Sequence, residues 1–238
     1  MKFAPYSFSK LTTFEDCPQR FKFQYIDKIR RDDRNEALIK GSNVHSILEK
    51  FGTYKLNNTL EENIVRKYVK SEIAKKYLPS LVGVEKSIRE TSIGLNENYE
   101  PCSYYDKKAM FRGKVDFICI IDNVLNICDY KTGKYKEEVF QDYRQLLLYS
   151  LYFFKKYTNI NTIRISYIYV EHNLENAMTL ERKYLDKYIE TLSTMINNVE
   201  TATEYVRKTK FCNWCPYKDL CYPSKEEWST INFKYFSR

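Results

Sequence analysis

The chain of 238 residues carries a formal net charge of +8, a balance compatible with phosphate-bearing partners. Its length suits one large domain with a substantial buried core, and an apolar content of 43% argues against a globally disordered chain. No apolar run approaches membrane-spanning length and no apolar signal core opens the chain, so we expect an intracellular, cytoplasmic protein without membrane contact.

The first part of the chain predicts a series of helices. Helix-capping residues open the segment Ser7–Glu15, and Pro18 suits the first turn of a second helix over Gln19–Ile29. A third helix is predicted from Gly41 to Phe51, with apolar residues at helical spacing.

Thr59 is predicted to cap a fourth helix. The apolar stripe of this helix is formed by Leu60, Ile64, Tyr68 and Ile73. The following segment, Val82–Tyr105, has weak periodicity and predicts no element.

A β-hairpin is predicted next, from two short apolar runs, Phe117–Ile121 and Val124–Cys128. The residues between them, Asp122 and Asn123, form a two-residue loop of the kind that favours a tight hairpin turn. Beyond the hairpin, the patterns predict a helix over Phe140–Tyr157, a strand over Thr162–Val170 and a helix over Leu185–Tyr205. Helices that alternate with short strands indicate an α/β domain.

Each arm of the hairpin carries polar residues at the same end. Asp116 precedes the first apolar run, and Asp129 and Lys131 end the second. Two neighbouring carboxylates repel each other unless a cation lies between them, and hard divalent cations prefer oxygen ligands. The lysine could orient a water molecule or stabilise charge on a phosphate. The alternative is a polar edge hairpin whose Asp-Tyr-Lys only ends a strand.

Seven cysteines in a reducing compartment argue against a disulfide framework. Cys212, Cys215 and Cys221 are spaced as ligands of a soft metal or an iron–sulfur cluster, which needs a fourth ligand. Cys17 is the best candidate, at a predicted helix junction, and Cys102 remains possible. The remaining cysteines, which fit the apolar pattern of the hairpin, are Cys119 and Cys128.

Several motifs occur in a specific order along the chain. They are Cys17, Gly41-x-x-x-His45, Gly113-x-x-Asp116, Asp129-Tyr130-Lys131, Gln145-x-x-x-Tyr149, and finally Cys212, Cys215 and Cys221. In this order the chain resembles the RecB-type branch of the PD-(D/E)XK nucleases, in the subgroup with an iron–sulfur staple. That subgroup includes the AddB nuclease domain and the CRISPR-associated adaptation exonucleases. The resemblance extends from Ser7 to Cys221.

The resemblance implies a restriction-endonuclease-like α/β core, a mixed central sheet flanked by helices, with a helical lobe and an iron–sulfur staple. Within one domain, residues 1–40 and 206–222 would form the staple region that joins the two ends of the chain. Residues 41–100 would form the helical lobe and residues 101–205 the catalytic core.

The resemblance also implies a metal site. His45, Asp116 and Asp129 would bind the catalytic Mg²⁺ or Mn²⁺, with the Tyr130 carbonyl as a further ligand. Because a nitrogen ligand suits Mn²⁺ better than Mg²⁺, manganese would give the higher activity. Taken by itself, His45 could also be a core or capping histidine.

Three further roles follow from the resemblance. Lys131 would position the attacking water, and Gln145 and Tyr149 would contact the substrate backbone or support Lys131. The cysteine ligands of a structural [4Fe–4S] cluster, with zinc as the competing occupant, would be Cys17, Cys212, Cys215 and Cys221.

The predicted function is therefore a metal-dependent deoxyribonuclease of bacterial or viral origin. It would act as an exonuclease on single-stranded DNA ends, in recombination, repair or CRISPR-adaptation-like DNA processing. One alternative is a DNA-binding module that has lost catalysis, although His45, Asp116, Asp129 and Lys131 are all present. A second is a subunit that needs a separate helicase or integrase partner. The sequence indicates no oligomeric state.

Overall fold

The computed structural model describes residues 2–31, 36–51, 58–81, 87–208 and 212–222. The chain forms two compact units. The larger unit comprises Phe3–Phe8 and Arg34–Met195, and the smaller comprises Ser9–Asp33 and Ile196–Arg238.

The larger unit is built on a six-stranded sheet. Its strands are β1 (Ser87–Asn96), β2 (Pro101–Cys102), β3 (Ala109–Ile121), β4 (Val124–Lys131), β5 (Thr162–Tyr169) and β6 (Leu174–Glu181). Their order across the sheet is β2-β1-β3-β4-β5-β6. Only β4 and β5 pair in parallel, and the other neighbours are antiparallel. The predicted mixed α/β sheet is confirmed.

Helices make up most of the remaining regular structure of the described residues. The α-helices are α1 (Phe8–Asp16), α2 (Pro18–Phe21), α3 (Glu36–Glu49), α4 (Leu60–Tyr68), α5 (Glu72–Leu81), α6 (Arg144–Lys156), α7 (Leu185–Glu200) and α8 (Lys218–Cys221). A π-helical turn covers Lys22–Ile26, and 3₁₀ turns cover Glu138–Phe140, Arg182–Tyr184 and Cys212–Trp214. Within the described ranges, none of these helices has both the length and the apolar character needed to span a bilayer.

The predicted hairpin forms as β3 and β4. Asp122 and Asn123 both have positive φ, 51° and 63°, as a two-residue turn that follows the twist of the strands requires. The pairing extends from Ile121 with Val124 to Phe117 with Cys128. Local turn chemistry and apolar patterning therefore lead to the same strand register.

The prediction of a helical lobe over residues 41–100 is wrong in its last part. The lobe contains α3, α4 and α5, but Ser87–Asn96 forms β1 and pairs with β3 along nearly its whole length. Ile93 and Leu95 of β1 are fully buried. Burial against a distant strand outweighs the weak local pattern of this segment.

Two other predicted helices are shorter than expected. α6 begins at Arg144 instead of Phe140, because the Asp142 carboxylate accepts a hydrogen bond from the Arg144 amide at 3.0 Å and Phe140 lies in a separate 3₁₀ turn. α7 ends at Glu200 instead of Tyr205.

The helices of the lobe pack on one part of the sheet. Thr59 caps α4 as predicted, in a capping box in which its side chain and that of Glu62 bond reciprocally to backbone amides. The predicted stripe is only partly right, because Leu60 is 65% exposed whereas Val65 is fully buried. Buried lobe residues join buried strand residues in one cluster that includes Leu48, Val65, Tyr68, Phe117, Cys128 and Tyr130.

Candidate active site

Asp116 and Asp129 lie where β3 and β4 stop pairing. The last paired residues are Phe117 and Cys128, and the two aspartates are the next residue on each strand. At this point the Tyr130 amide donates a hydrogen bond to Asp116 Oδ2 at 2.8 Å. The divergence of the strands therefore accommodates two acidic side chains at one end of the hairpin.

α3 brings His45 to Asp116. His45 Nδ1 lies 3.2 Å from Asp116 Oδ2, and its ring meets the Tyr130 ring edge-on at a centroid distance of 6.2 Å. One helical turn earlier, a Cβ atom at Gly41 would lie 3.0 Å from Thr132 Oγ1. A glycine at this position therefore allows α3 to lie close to the residue that follows β4.

Glu90 on β1 also reaches this place, and the sequence did not predict it. β1 pairs with β3 on both sides of Glu90, and the register places Glu90 opposite Asp116. The backbone of Glu90 has φ of 49°, a left-handed conformation that is uncommon for a residue other than glycine. Such outliers concentrate at functional sites, where the surrounding structure holds them in place.

His45, Glu90 and Asp116 form a potential metal site. Each offers one ligand atom, and these atoms all lie within 4.8 Å of one another. They line an open cavity of about 630 Å³ in the larger unit. The same cavity is also lined by Glu49, Lys114, Asp129, Tyr130 and Lys131.

The Asp129 carboxylate is held by two side chains. Its Oδ1 accepts a hydrogen bond from Gln145 Nε2 at 2.9 Å, and its Oδ2 lies 2.6 Å from Lys131 Nζ. Lys131 Nζ also donates to Gln145 Oε1 at 3.1 Å and lies 4.7 Å from the centre of the Tyr167 ring. Asp129, Lys131 and Gln145 thus form a closed triangle of charge-assisted contacts.

Tyr149 lies one helical turn after Gln145 and accepts a hydrogen bond from Gln145 Nε2 at 3.3 Å. Its ring packs on the backbone of β3, where a Cβ atom at Gly113 would lie 2.5 Å from Tyr149 Cε1. The glycine therefore allows α6 to approach β3 closely. This approach positions Gln145 over Asp129.

The carboxylates of this cavity crowd one another. Burial and the negative charges of Asp116 and Glu49 raise the pKa of Glu90. Burial, with the charge of Asp116, also raises the pKa of Asp129 to about 6, although Lys131 opposes this shift. Burial would lower the pKa of His45, but its hydrogen bond to Asp116 and the charges of Asp116 and Asp129 raise it.

The donor set fits a divalent cation. Carboxylate oxygens suit Mg²⁺ and Mn²⁺, and an imidazole nitrogen is a common additional ligand of transition metals. A cation would also offset the burial and the mutual repulsion that raise the pKa values of Glu90 and Asp129. The residues therefore fit a catalytic metal ion both in their ligand chemistry and in their charge.

Comparison with family models matches residues 5–222 to the model described as "PD-(D/E)XK nuclease superfamily". The chain belongs to the PD-(D/E)XK nuclease superfamily. Members of this superfamily are typically metal-dependent nucleases, and the group of His45, Glu90 and Asp116 provides a potential metal site in this member.

Among solved structures, one titled "Crystal structure of SSO0001" aligns over 89% of this chain and 84% of its own, with 13% sequence identity and a TM-score of 0.44. No curated protein matches the chain.

The smaller unit collects the predicted cysteine ligands. Cys17, Cys212, Cys215 and Cys221 line one cavity, together with the basic Arg207 and Lys208. The Lys208 amide donates to Cys17 Sγ at 3.5 Å, and burial raises the pKa of Cys221, as do the neighbouring thiols of Cys215 and Cys17. Cys102, the alternative fourth ligand, lies on β2 in the larger unit and lines a different cavity.

Contacts within the smaller unit join its two chain segments. Tyr217 Oη donates to the Ile29 carbonyl at 2.9 Å, and Arg31 forms an ion pair with Asp219. Among the described residues, no three cysteine sulfurs lie within 4.8 Å of one another.

We expect the substitution Glu90→Gln to weaken Mn²⁺ binding by about tenfold or more, because it removes one charged donor from the group. Isothermal titration of Mn²⁺ into the DNA-free protein measures this. Glu49→Gln is the matched control, since Glu49 lines the same cavity but lies outside the ligand group. Equal affinities of wild type and Glu90→Gln would remove Glu90 from the site.

Proposed function

We propose that this protein hydrolyses phosphodiester bonds of DNA and acts as an exonuclease on single-stranded ends, with Mg²⁺ or Mn²⁺. The observation that carries the proposal is the joint presence of two groups in one open cavity. One group is the potential metal site of His45, Glu90 and Asp116, and the other is the contact triangle of Asp129, Lys131 and Gln145.

In this proposal the metal is held by His45, Glu90, Asp116 and Asp129, with the Tyr130 carbonyl as a further ligand. The bound ion supplies Lewis-acid polarisation of a phosphate oxygen. Asp116 is oriented for this role by its hydrogen bond from the Tyr130 amide, which leaves Oδ1 available to a cation. Asp129 shares its carboxylate with Lys131, so that binding of a cation and the position of the lysine are linked.

Lys131 provides the only cationic group of the described residues that touches the Asp129 carboxylate. Its ammonium group would hold the attacking water and stabilise the negative charge that develops on the phosphate. Gln145 bonds to both Asp129 and Lys131, and Tyr149 supports Gln145. These two residues therefore position the catalytic pair and do not need to exchange protons themselves.

Cleavage of end-labelled single-stranded DNA in Mn²⁺ tests the function. We expect wild type to produce a ladder whose direction reveals polarity, and Asp129→Asn to produce none. Asp122→Asn is the matched control, because it makes the same chemical change in the turn at the other end of the hairpin, where asparagine tolerates positive φ.

Absence of cleavage by wild type and control alike would contradict the proposal. In that case DNA binding without cleavage would favour a DNA-binding module. Cleavage that appears only when a helicase or integrase is added would favour a subunit of a larger complex.

We further propose that the four cysteines of the smaller unit hold a structural [4Fe–4S] cluster. Their convergence on one cavity supports this, as do Arg207 and Lys208, whose positive charge would offset that of the thiolates. The order of motifs that the chain shares with the iron–sulfur subgroup favours a cluster over zinc.

We expect Cys17→Ser to lose the iron and the visible absorbance that anaerobically purified wild type carries. Cys102→Ser should retain both, because Cys102 lies in the other unit. The iron and zinc contents of wild type, Cys17→Ser and Cys102→Ser test this prediction. If wild type contained stoichiometric zinc and no iron, the occupant would be a zinc ion and not a cluster. If only Cys102→Ser lost iron, the fourth ligand would be Cys102 and not Cys17.

A further inference from the structure

A second cavity of the larger unit, of about 500 Å³, is rich in tyrosine. Its lining includes Tyr104 and Tyr105, which follow β2, and Tyr152 and Lys156 of α6. No carboxylate is among the described residues that line it. The cavity therefore combines aromatic faces with positive charge, which distinguishes it from the acidic cavity of the candidate active site.

The aromatic side chains of this cavity are available to a ligand. Tyr105 is 82% exposed, and its ring meets that of Tyr104 edge-on at a centroid distance of 5.1 Å. The Arg112 guanidinium lies 5.4 Å from the centre of the Tyr104 ring, and Lys156 Nζ lies 5.3 Å from that of Tyr152. Two cations thus lie beside tyrosine rings of this cavity, and the Tyr105 ring is exposed.

The turn that carries the tyrosines is held by its own hydrogen bonds. The Tyr105 amide donates to Ser103 Oγ at 3.3 Å, the Asp106 amide donates to the Ser103 carbonyl at 3.0 Å, and Arg112 donates to the Asp106 carbonyl at 3.0 Å. An exposed ring on an ordered turn binds a flat ligand with little loss of conformational entropy. The turn is therefore pre-organised for stacking.

The strand register relates this cavity to the candidate active site. Ser92 of β1 lines the tyrosine-rich cavity, and its partner on β3, Lys114, lines the acidic one. Ser92 lies two residues from Glu90 along β1, which corresponds to about 7 Å at 3.4 Å per residue. The two cavities are therefore lined from neighbouring positions of the same strand pair.

We propose that the tyrosine-rich cavity binds an unpaired nucleotide of a single-stranded DNA substrate, with the base stacked on tyrosine and the phosphate near Lys156. Every base has a π-face, so such a site accepts single strands of any sequence. Bases paired and stacked in a duplex are not free to enter it. The inference rests on the proposed function and identifies how that function would select single strands.

The test uses full-length protein in the Asp129→Asn background, so that labelled oligothymidine is bound and not cut. We expect Tyr105→Ala to weaken binding by about tenfold, as loss of one stacked base does, and Tyr105→Trp to retain it. Tyr184→Ala is the matched control, because Tyr184 is 40% exposed and lies beside Lys183 and Lys187 but outside the cavity. It should leave the affinity unchanged.

Salt dependence separates the two contacts of the proposal. Lys156→Met should reduce the slope of log affinity against log salt by about 0.7, the loss of one phosphate contact to a single strand, whereas Tyr105→Ala should not change it. Parental affinity and salt slope in both variants would overturn this site, even if wild type cleaves DNA. Conversely, tenfold weaker binding by Tyr105→Ala would support the site even if wild type cleaved nothing.

Discussion

We expect Lys131→Met to lower the rate of single-stranded DNA cleavage by about 10²–10³-fold, the loss that follows removal of one transition-state donor. The methionine keeps an apolar side chain of similar length and removes the ammonium group that contacts Asp129, Gln145 and the Tyr167 ring. The measurement is the single-turnover rate with saturating Mn²⁺, alongside Mn²⁺ affinity by calorimetry.

The Mn²⁺ affinity of Lys131→Met and the cleavage rate of a control variant separate a role in chemistry from a role in metal binding. Mn²⁺ affinity should be retained or rise in Lys131→Met, because the variant frees the Asp129 carboxylate from its ion pair. Lys134→Met is the matched control, since Lys134 is exposed and lies three residues after Lys131, the last residue of β4. A normal cleavage rate in Lys131→Met would exclude the ammonium group from the chemistry.

The sequence predicted the parts of this site that depend on local pattern. Asp122 and Asn123 have the turn chemistry of a two-residue hairpin, which together with the apolar pattern sets the register that brings Asp116 and Asp129 to one end. Gln145 and Tyr149 lie one helical turn apart, so the sequence also predicts that they share one face of a helix. What these residues contact became visible only in the structure.

Glu90 shows what the sequence could not reveal. Its strand, β1, has weak periodicity and forms because it pairs with β3, an interaction between segments far apart in the chain. The available signal was the short alternation of Thr91, Ile93 and Leu95, which predicts a strand but neither its partner nor its register. The left-handed backbone of Glu90 has no sequence signature, since such conformations usually belong to glycine, asparagine or aspartate.

The start of α6 illustrates tertiary contacts that override a local pattern. Val139 and Phe140 extend the apolar spacing of the helix toward its amino terminus, yet both are exposed, in a 3₁₀ turn. The preceding loop is fixed by the Asn176 side chain, which donates to the Lys136 carbonyl at 2.8 Å and accepts from Tyr135 Oη at 2.9 Å. The helical spacing of apolar residues does not predict these contacts, so it places the start of the helix too early.

We expect Glu175→Gln to lower the free energy of unfolding by about 1–2 kcal/mol at neutral pH, since solvent screens part of its charge interactions. Glu175 on β6 is nearly buried and forms ion pairs with Lys76 at 2.9 Å and Arg164 at 3.2 Å, and it also accepts a hydrogen bond from Tyr77. Burial alone would raise the pKa of this carboxyl, but the hydrogen bonds from Tyr77 and Lys76 outweigh it and lower the pKa to about 2. These contacts join α5 to β5 and β6.

The pH dependence identifies the ionised carboxylate as the source of this stability. Because the folded pKa lies below the unfolded value, the contribution is complete above about pH 5, and it is lost as the pH falls toward 2. Urea unfolding followed by circular dichroism should therefore show a gap between wild type and Glu175→Gln that falls to about half at pH 3. The matched control is Glu181→Gln, at the exposed other end of β6, which should change stability little at either pH. A gap of equal size at pH 7 and pH 3 would mean that the substitution acts through packing instead of charge.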